Sequence, residues 1–76
     1  MRVIYSEDFN KRLGSEVRKC REEMGLSLRS FGALIGVTGQ AVKYYESGRT
    51  ALTLQAFIRI FTALGKDPSE IIKKYI

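Results

Sequence analysis

Apolar residues recur along most of the chain at intervals of three and four positions, the spacing that places side chains on one face of an α-helix. Glycines separate the segments that show this spacing, and glycine commonly follows the last turn of a helix because it adopts a left-handed conformation. The pattern predicts five helices joined by short loops. We therefore expect an all-α domain.

The predicted helices cover about residues 8–24, 28–35, 38–46 and 53–64, and the fifth begins at Asp67-Pro68. Ser27, Thr38 and Asp67 are the expected N-caps, because their side chains accept hydrogen bonds from free backbone N–H groups. The residues expected to face the core are Phe9, Leu13, Val17, Cys20 and Met24; Leu28, Phe31, Leu34 and Ile35; Ala41, Val42 and Tyr45; Leu54, Phe57, Ile58, Phe61 and Leu64; and Ile71, Ile72 and Tyr75.

The N-terminal residues 1–7 differ from the rest of the chain. Val3, Ile4 and Tyr5 have the composition of a strand, so we expect a short extended arm in front of the helices. The full length of 76 residues is enough for one small domain, which we assign to residues 1–76.

Composition removes several classes of function. The chain has no histidine, which is the commonest general base and a frequent metal ligand. Its single cysteine, Cys20, excludes an intramolecular disulfide and a cysteine-cluster zinc site. Because Cys20 lies in the apolar stripe of the first predicted helix, we expect a buried structural thiol. We expect no catalysis, no cofactor and no metal.

The charge balance favours an anionic partner. Lys and Arg number 13 against 8 Asp and Glu, which gives a formal net charge of +5 and makes nucleic acid the first candidate. The most apolar window, residues 52–64, is interrupted by polar side chains and cannot span a bilayer. No signal peptide is recognisable, so we expect a cytoplasmic protein that is not associated with a membrane.

Residues 28–47 combine the features that a helix-turn-helix requires. Gly32 supplies a small residue where two helices cross, and Gly36 tolerates the positive φ of a tight turn. The apolar residues that would lock the two helices together are Phe31, Ile35, Val37, Val42 and Tyr45. Each glycine alone is weak evidence, whereas the whole combination within 20 residues is specific.

From about residue 13 to residue 70 the chain resembles the phage-repressor, Cro-type (XRE) helix-turn-helix family. The resemblance is carried by VRKCREEMGLS, VKYYESG and LTLQAFIRIFTALGKDPSEII, and by the Phe31-Gly32 and Ile35-Gly36-Val37 positions. It implies a lambda-repressor-like bundle of five helices whose second motif helix enters the major groove of double-stranded DNA. It also implies a transcriptional repressor that reads a palindromic operator as a homodimer.

The resemblance pairs Arg21 with Glu46 in a partly buried ion bridge that directs the arginine toward the DNA backbone. The alternative is that both are solvated surface charges. Three positions depart from the family pattern: Leu28 replaces a frequent phosphate-binding glutamine, Ser47 a frequent asparagine, and Leu52 a frequent proline. These departures concern individual phosphate contacts and leave the expected fold unchanged.

The exposed face of the third predicted helix suits base reading. Gln40 can bind an adenine edge through two hydrogen bonds, and Lys43 can donate to guanine. The expected base-contacting residues are Gly39, Gln40, Lys43 and Tyr44. The expected phosphate contacts are Thr38, Arg49, Thr50, Arg21, Arg29 and Ser47, with the backbone of residues 48–50. The alternative is an ordinary solvated helix surface.

Apolar residues on a second face of the fourth predicted helix, together with those of the fifth, exceed what a small monomer easily buries and predict a dimer interface. These residues are Leu52, Ala56, Ile60, Ile72, Tyr75 and Ile76. The alternative is that the fifth helix covers the fourth within one chain. A second functional hypothesis is a protein-binding module of the same fold, such as an antitoxin or a restriction–modification controller, which engages a protein partner as well as DNA.

Overall fold

In the computed structural model, which describes residues 7–75, the chain forms the five predicted helices. They are α1 (Glu7–Glu23), α2 (Leu28–Ile35), α3 (Gly39–Ser47), α4 (Leu54–Ala63) and α5 (Pro68–Lys73). The all-α fold class is confirmed, and the described residues contain no strand. Glu7, assigned to the arm, is the first residue of α1; the rest of the predicted arm and Ile76 lie outside the described residues.

Short polar side chains start the helices. The hydroxyl of Ser27 accepts from the backbone N–H of Ser30 at 3.0 Å, and the hydroxyl of Thr38 accepts from that of Ala41 at 3.0 Å. Asp67 caps α5 as predicted, with Pro68 in its first turn. The cap positions are therefore confirmed, and with them the register of both helices in the helix-turn-helix motif.

The core lies where α1, α2 and α3 meet α4 and α5. Its buried apolar residues are Leu13, Val17, Cys20, Phe31, Ile35, Val42, Phe57, Ile60, Phe61, Leu64 and Ile71. Cys20 is a buried thiol, as expected, and burial raises its pKa, as does the nearby charge of Glu16. The thiolate form is thereby disfavoured, which is consistent with a packing role.

Glycines permit two close helix contacts. A Cβ on Gly32 would lie 2.6 Å from the carbonyl oxygen of Val37, which confirms its predicted role at the α2–α3 crossing. A Cβ on Gly14 would overlap the carbonyl oxygens of Tyr45 and Glu46, so α1 packs directly on the backbone of α3. The second contact was not predicted, although it sets the distance between α1 and α3.

The face of α4 that was predicted to meet the core is wrong, because the helix is rotated about its own axis by part of a turn relative to the prediction. Leu54 is 75% exposed and Ile58 is 47% exposed, whereas Ile60 is only 1% exposed. The buried residues of the helix are Phe57, Ile60 and Phe61, followed by Leu64, which also satisfy the i, i+3, i+4, i+7 spacing. Ile60 is therefore a core residue and is not available to a dimer interface in this fold.

Two further residues expected in the core lie at the surface. Leu34 is 61% exposed because α2 turns Phe31 and Ile35 inward and Leu34 outward. Met24 is 49% exposed and lies beyond the end of α1. The helices themselves are as predicted. The errors concern which of the apolar residues of a helix face the core and which face solvent.

Candidate nucleic-acid interface

The outer face of α3 presents polar side chains on a firmly packed helix. Val42 is completely buried, while Gln40 and Lys43 are exposed and Tyr44 is half-buried. The inner side of the helix is thus anchored in the core, and its outer side offers an amide and an ammonium group. This arrangement can form directed hydrogen bonds to base edges without exposing apolar core atoms.

Gly39 lies where the first turns of α2 and α3 approach each other. A Cβ on Gly39 would lie 3.2 Å from both Cα and N of Arg29. A side chain on residue 39 would therefore be in tight contact with the backbone of Arg29, in addition to the base contact predicted for this position. The contact also brings the exposed Arg29 next to the start of α3.

Arg21 and Glu46 form the predicted ion pair. Nε of Arg21 donates to Oε2 of Glu46 at 2.6 Å, and Nη2 donates to Oε1 at 3.1 Å. The two side chains are 10% and 7% exposed. The hydrogen bond that Arg21 donates to Glu46 raises the pKa of the Arg21 guanidinium, against the opposing effect of burial. The pair is bidentate and shielded from water, unlike a solvated surface pair.

The same guanidinium also binds the loop before α2. Nη1 of Arg21 donates to the carbonyl oxygen of Leu26 at 2.7 Å. Arg21 thus joins α1 to the last turn of α3 and to the entry of α2. It is 9% exposed, so it can offer a phosphate only the few N–H groups that Glu46 and Leu26 leave over.

The turn after α3 uses its backbone donors internally. The N–H groups of Arg49 and Thr50 both bond to the carbonyl oxygen of Tyr44, at 3.0 and 3.2 Å. The N–H of Gly48 bonds to the carbonyl oxygen of Tyr45 at 3.2 Å. The backbone donors predicted to contact phosphate are therefore engaged within the turn, which leaves the side chains of Arg49 and Thr50 as the remaining donors.

Arg49 lies beside the outer face of α3. Its guanidinium carbon is 4.6 Å from the centre of the Tyr44 ring, within the range of a cation–π interaction. The hydroxyl of Ser47 donates to the carbonyl oxygen of Tyr44 at 3.2 Å. Thr38, Arg49 and Thr50 are exposed at the two ends of α3, which is compatible with their predicted phosphate contacts.

Two recesses flank the C-terminal end of α3. One encloses about 320 Å³ and is lined by Arg18, Arg21, Leu28, Lys43, Glu46 and Ser47. The other, called here the α1 recess, encloses about 420 Å³ and is lined by Asn10, Lys11, Ser47, Gly48 and Arg49. Sequence reasoning missed Lys11 and Asn10 because they lie far from the motif along the chain.

The residues predicted for a dimer interface are only partly brought together. Leu52 and Ile72 line a groove of about 540 Å³ between α1, α4 and α5, with Phe9, Leu13, Thr53, Leu54, Phe57, Ile58, Asp67, Pro68 and Ser69. Ala56 and Tyr75 are half-buried but do not line it. This surface, called here the apolar groove, contains the two large apolar residues of α4 that are exposed, Leu54 and Ile58.

The C-terminal end is fastened to α1. Nζ of Lys74 lies 3.1 Å from Oε2 of Glu16, and the hydroxyl of Tyr75 donates to Oε1 of Glu16 at 3.4 Å. The Tyr75 ring also meets the edge of Phe9, with centroids 5.7 Å apart. Burial alone would raise the pKa of Glu16, but the hydrogen bond and charge of Lys74 lower it.

None of the helices within residues 7–75 combines the length and the apolar character needed to cross a membrane. A family model described as helix-turn-helix matches residues 17–71. No curated protein matches the chain significantly.

Several solved structures are similar. The restriction-modification controller protein C.AhdI from Aeromonas hydrophila has 26% identity and a TM-score of 0.79, covering 86% of this chain and 94% of its own. The clp gene regulator ClgR from Corynebacterium glutamicum has 22% identity and a TM-score of 0.77, covering 84% and 83%. The P22 c2 repressor in complex with a synthetic operator has 20% identity and a TM-score of 0.71, covering 78% and 89%.

Proposed function

The chain belongs to the XRE-type (Cro/C1-type) helix-turn-helix family of DNA-binding transcriptional regulators, and we propose that it is a sequence-specific repressor whose helix α3 enters the major groove. The observation that carries the proposal is the outer face of α3. It exposes Gln40 and Lys43 on a helix whose inner residue Val42 is fully buried. A polar face held this rigidly is suited to base readout.

Base recognition is assigned to Gln40, Lys43 and Tyr44. Gln40 can form paired hydrogen bonds with adenine, and Lys43 can donate to the acceptors of guanine. Tyr44, half-buried under Arg49, can contact a thymine methyl group or a sugar. Gly39 lets the first turn of α3 lie close to α2. Because it has no side chain, we assign it the role of letting the backbone of α3 approach the base edges.

Phosphate contacts are assigned to side chains around α3. The hydroxyls of Thr38 and Thr50 and the guanidinium of Arg49 are exposed, and Arg29 lies beside the start of the helix. The other two predicted contacts, Arg21 and Ser47, line the recesses at the end of α3, where they can contribute residual donors. These contacts orient α3 and supply affinity that does not depend on sequence.

We further propose that two copies associate through the apolar groove. The 75% exposure of Leu54 and the 47% exposure of Ile58 support this choice, because exposed clustered apolar side chains favour association. Of the residues predicted for the interface, Leu52 and Ile72 line the groove, Ala56 and Tyr75 are half-buried outside its lining, and Ile60 is withdrawn because it is buried. A two-fold dimer would place two copies of α3 in successive major grooves, about 34 Å apart, on a palindromic operator.

A second candidate function is a controller that also engages a protein partner. The apolar groove supports it, because the same surface could accept an apolar segment of another protein. The fold likeness to the restriction-modification controller C.AhdI is compatible with either function. A chain that stays monomeric and still binds DNA would favour this candidate over the homodimer.

The proposed function is tested by selecting bound duplexes from a pool of random sequences with the full chain. Enrichment of a sequence with two-fold symmetry would support both base reading and the dimer. Enrichment of an asymmetric sequence would support base reading alone. Recovery of an unenriched pool would contradict the proposal, because phosphate contacts bind DNA without selecting its sequence.

A further inference from the structure

The second turn of α1 is packed against the end of the recognition helix. Gly48 has a φ of +79°, and a Cβ there would lie 2.8 Å from both the backbone N and the Cγ of Lys11. The turn that ends α3 therefore packs directly on the backbone of this part of α1, with no room for a side chain at residue 48. Lys11 is consequently held next to Ser47 and Arg49, although it lies outside the helix-turn-helix motif.

The residues that line the α1 recess include two cations and no carboxylate. Its lining comprises two cations, Lys11 and Arg49, with the amide of Asn10 and the hydroxyl of Ser47. Asp8 lies one turn before Lys11, but within residues 8–75 neither Lys11 nor Arg49 belongs to an ion pair. Two exposed cations elsewhere do form ion pairs, Arg18 with Glu22 and Lys73 with Glu70, which Lys11 and Arg49 do not.

We propose that Lys11 is a further DNA-phosphate contact, which acts with Arg49 in the α1 recess and extends the binding surface beyond the helix-turn-helix motif. The inference rests on the proposed function, since it takes α3 to be the helix in the major groove. Two cations and an amide around one recess match the negative charge and the acceptor oxygens of a phosphate.

The position of the recess explains why the ligand should be the backbone of the same DNA. Arg49 lies over the ring of Tyr44 and also lines the α1 recess. The recess therefore borders the outer face of α3 directly. A duplex whose major groove holds α3 has its phosphate strands at the ends of that helix. Lys11 would then meet a phosphate from α1, opposite the contacts at the start of α3.

The test compares Lys11→Gln with the wild type by fluorescence anisotropy, on a mixed-sequence duplex of about 30 base pairs and on the duplex enriched from the random pool. A lost phosphate contact reduces the slope of log affinity against log salt concentration by about 0.9. We expect this reduction on both duplexes. We also expect an equal fold-loss of affinity on both, because a phosphate contact carries no sequence information.

Two variants serve as controls. Lys11→Arg keeps the charge and should keep the slope, while Lys66→Gln removes an exposed charge in the loop between α4 and α5 and should leave the slope unchanged. A Lys11→Gln variant with the wild-type slope would overturn this inference and leave the proposed function intact. A wild-type chain that binds neither duplex would overturn both.

Discussion

Arg21 of α1 and Glu46 of α3 form a bidentate ion pair in which both side chains are at least nine-tenths shielded from solvent. The pair joins a helix outside the motif to the last turn of the recognition helix. A buried pair of this kind adds little net stability compared with apolar residues of the same shape, because desolvation offsets the attraction. Its value here is that it fixes where α3 ends relative to α1 and to Leu26.

We predict that Glu46→Ala lowers the free energy of unfolding by about 3–5 kcal/mol, because it leaves the Arg21 charge buried without a partner. Arg21→Ala should also destabilise, by stranding Glu46. The double variant should cost less than the sum of the single variants, since the first substitution already removes the interaction. Urea denaturation of the four proteins measures this coupling.

The exposed pair Arg18–Glu22 is the matched control. Its side chains are 65% and 54% exposed, and its Nε–Oε2 distance is 3.2 Å. Removing either residue should change the free energy of unfolding by no more than about 0.5 kcal/mol. The outcome that contradicts the prediction is a pair of single-variant effects on the free energy of unfolding that are as small as those of the control and that add up in the double variant. The buried pair would then not couple the two helices.

We predict that Gly14→Ala destabilises the fold, even though alanine is favoured over glycine in a helix by about 1 kcal/mol. The added methyl group would overlap the carbonyl oxygens of Tyr45 and Glu46, so α1 and α3 would have to separate. The neighbouring Ser15→Ala, at an exposed position of the same helix, is the control and should be neutral or slightly stabilising. A thermal midpoint for Gly14→Ala at or above the wild-type value would refute the close contact.

We predict that Leu54→Glu converts a dimer to a monomer at micromolar concentration, because it places a charge in the proposed apolar interface. Leu34→Glu is the control, since Leu34 is 61% exposed on α2 and lies outside the apolar groove. Sedimentation equilibrium should give a monomer for the first variant and a dimer for the second. Dimers of equal stability in both would exclude the groove as the interface.

We predict that the link between Glu16 and the C-terminal end weakens in acid. Because Lys74 holds the pKa of Glu16 below its ordinary value of 4.5, the ionised carboxylate stabilises the fold above that pH. This contribution is lost as the pH falls through the lowered pKa of the folded state. The stability difference between the wild type and Glu16→Gln should therefore shrink from pH 7 toward pH 3, as followed by urea denaturation.

Lys74→Gln provides the complementary measurement. It removes the cation that lowers the pKa of Glu16, so its stability difference from the wild type should also shrink in acid. A difference that stayed constant across this pH range for both variants would mean that the Glu16–Lys74 contact does not contribute to folding.

Local chemistry explains what the sequence could predict. Ser27 and Thr38 bond to backbone N–H groups three residues ahead, so a short stretch of sequence contains both partners. The helix boundaries and the exposed residues Gln40 and Lys43 follow from this register. The Arg21–Glu46 pair came from the family resemblance, because its partners lie on different helices.

The rotation of α4 could not be decided in this way. Two overlapping apolar sets share Phe57 and Phe61, and one adds Ile58 where the other adds Ile60. Both satisfy helical spacing, so the choice depends on what the helix packs against. The structure buries the set that contains Ile60. Leu54 and Ile58 are exposed instead, and the proposed interface therefore includes these two residues.

The α1 recess also could not be predicted from the spacing of apolar residues along the chain. Lys11 meets Gly48 only because Gly14 lets α1 pack closely on the end of α3. In the sequence, Lys11 is one exposed lysine among several on an amphipathic helix, and no local pattern distinguishes it. Its role emerges from a tertiary contact between segments that are distant along the chain.

The most direct measurement compares duplex selection from a random pool by the wild type and by the Gln40→Ala, Lys43→Ala double variant. Both residues are exposed, so helicity and the thermal midpoint should stay close to the wild-type values. The wild type should enrich a symmetric sequence with half-site centres about 34 Å apart, and the double variant should enrich none. If the double variant enriched the same sequence, α3 would not be the helix that reads it.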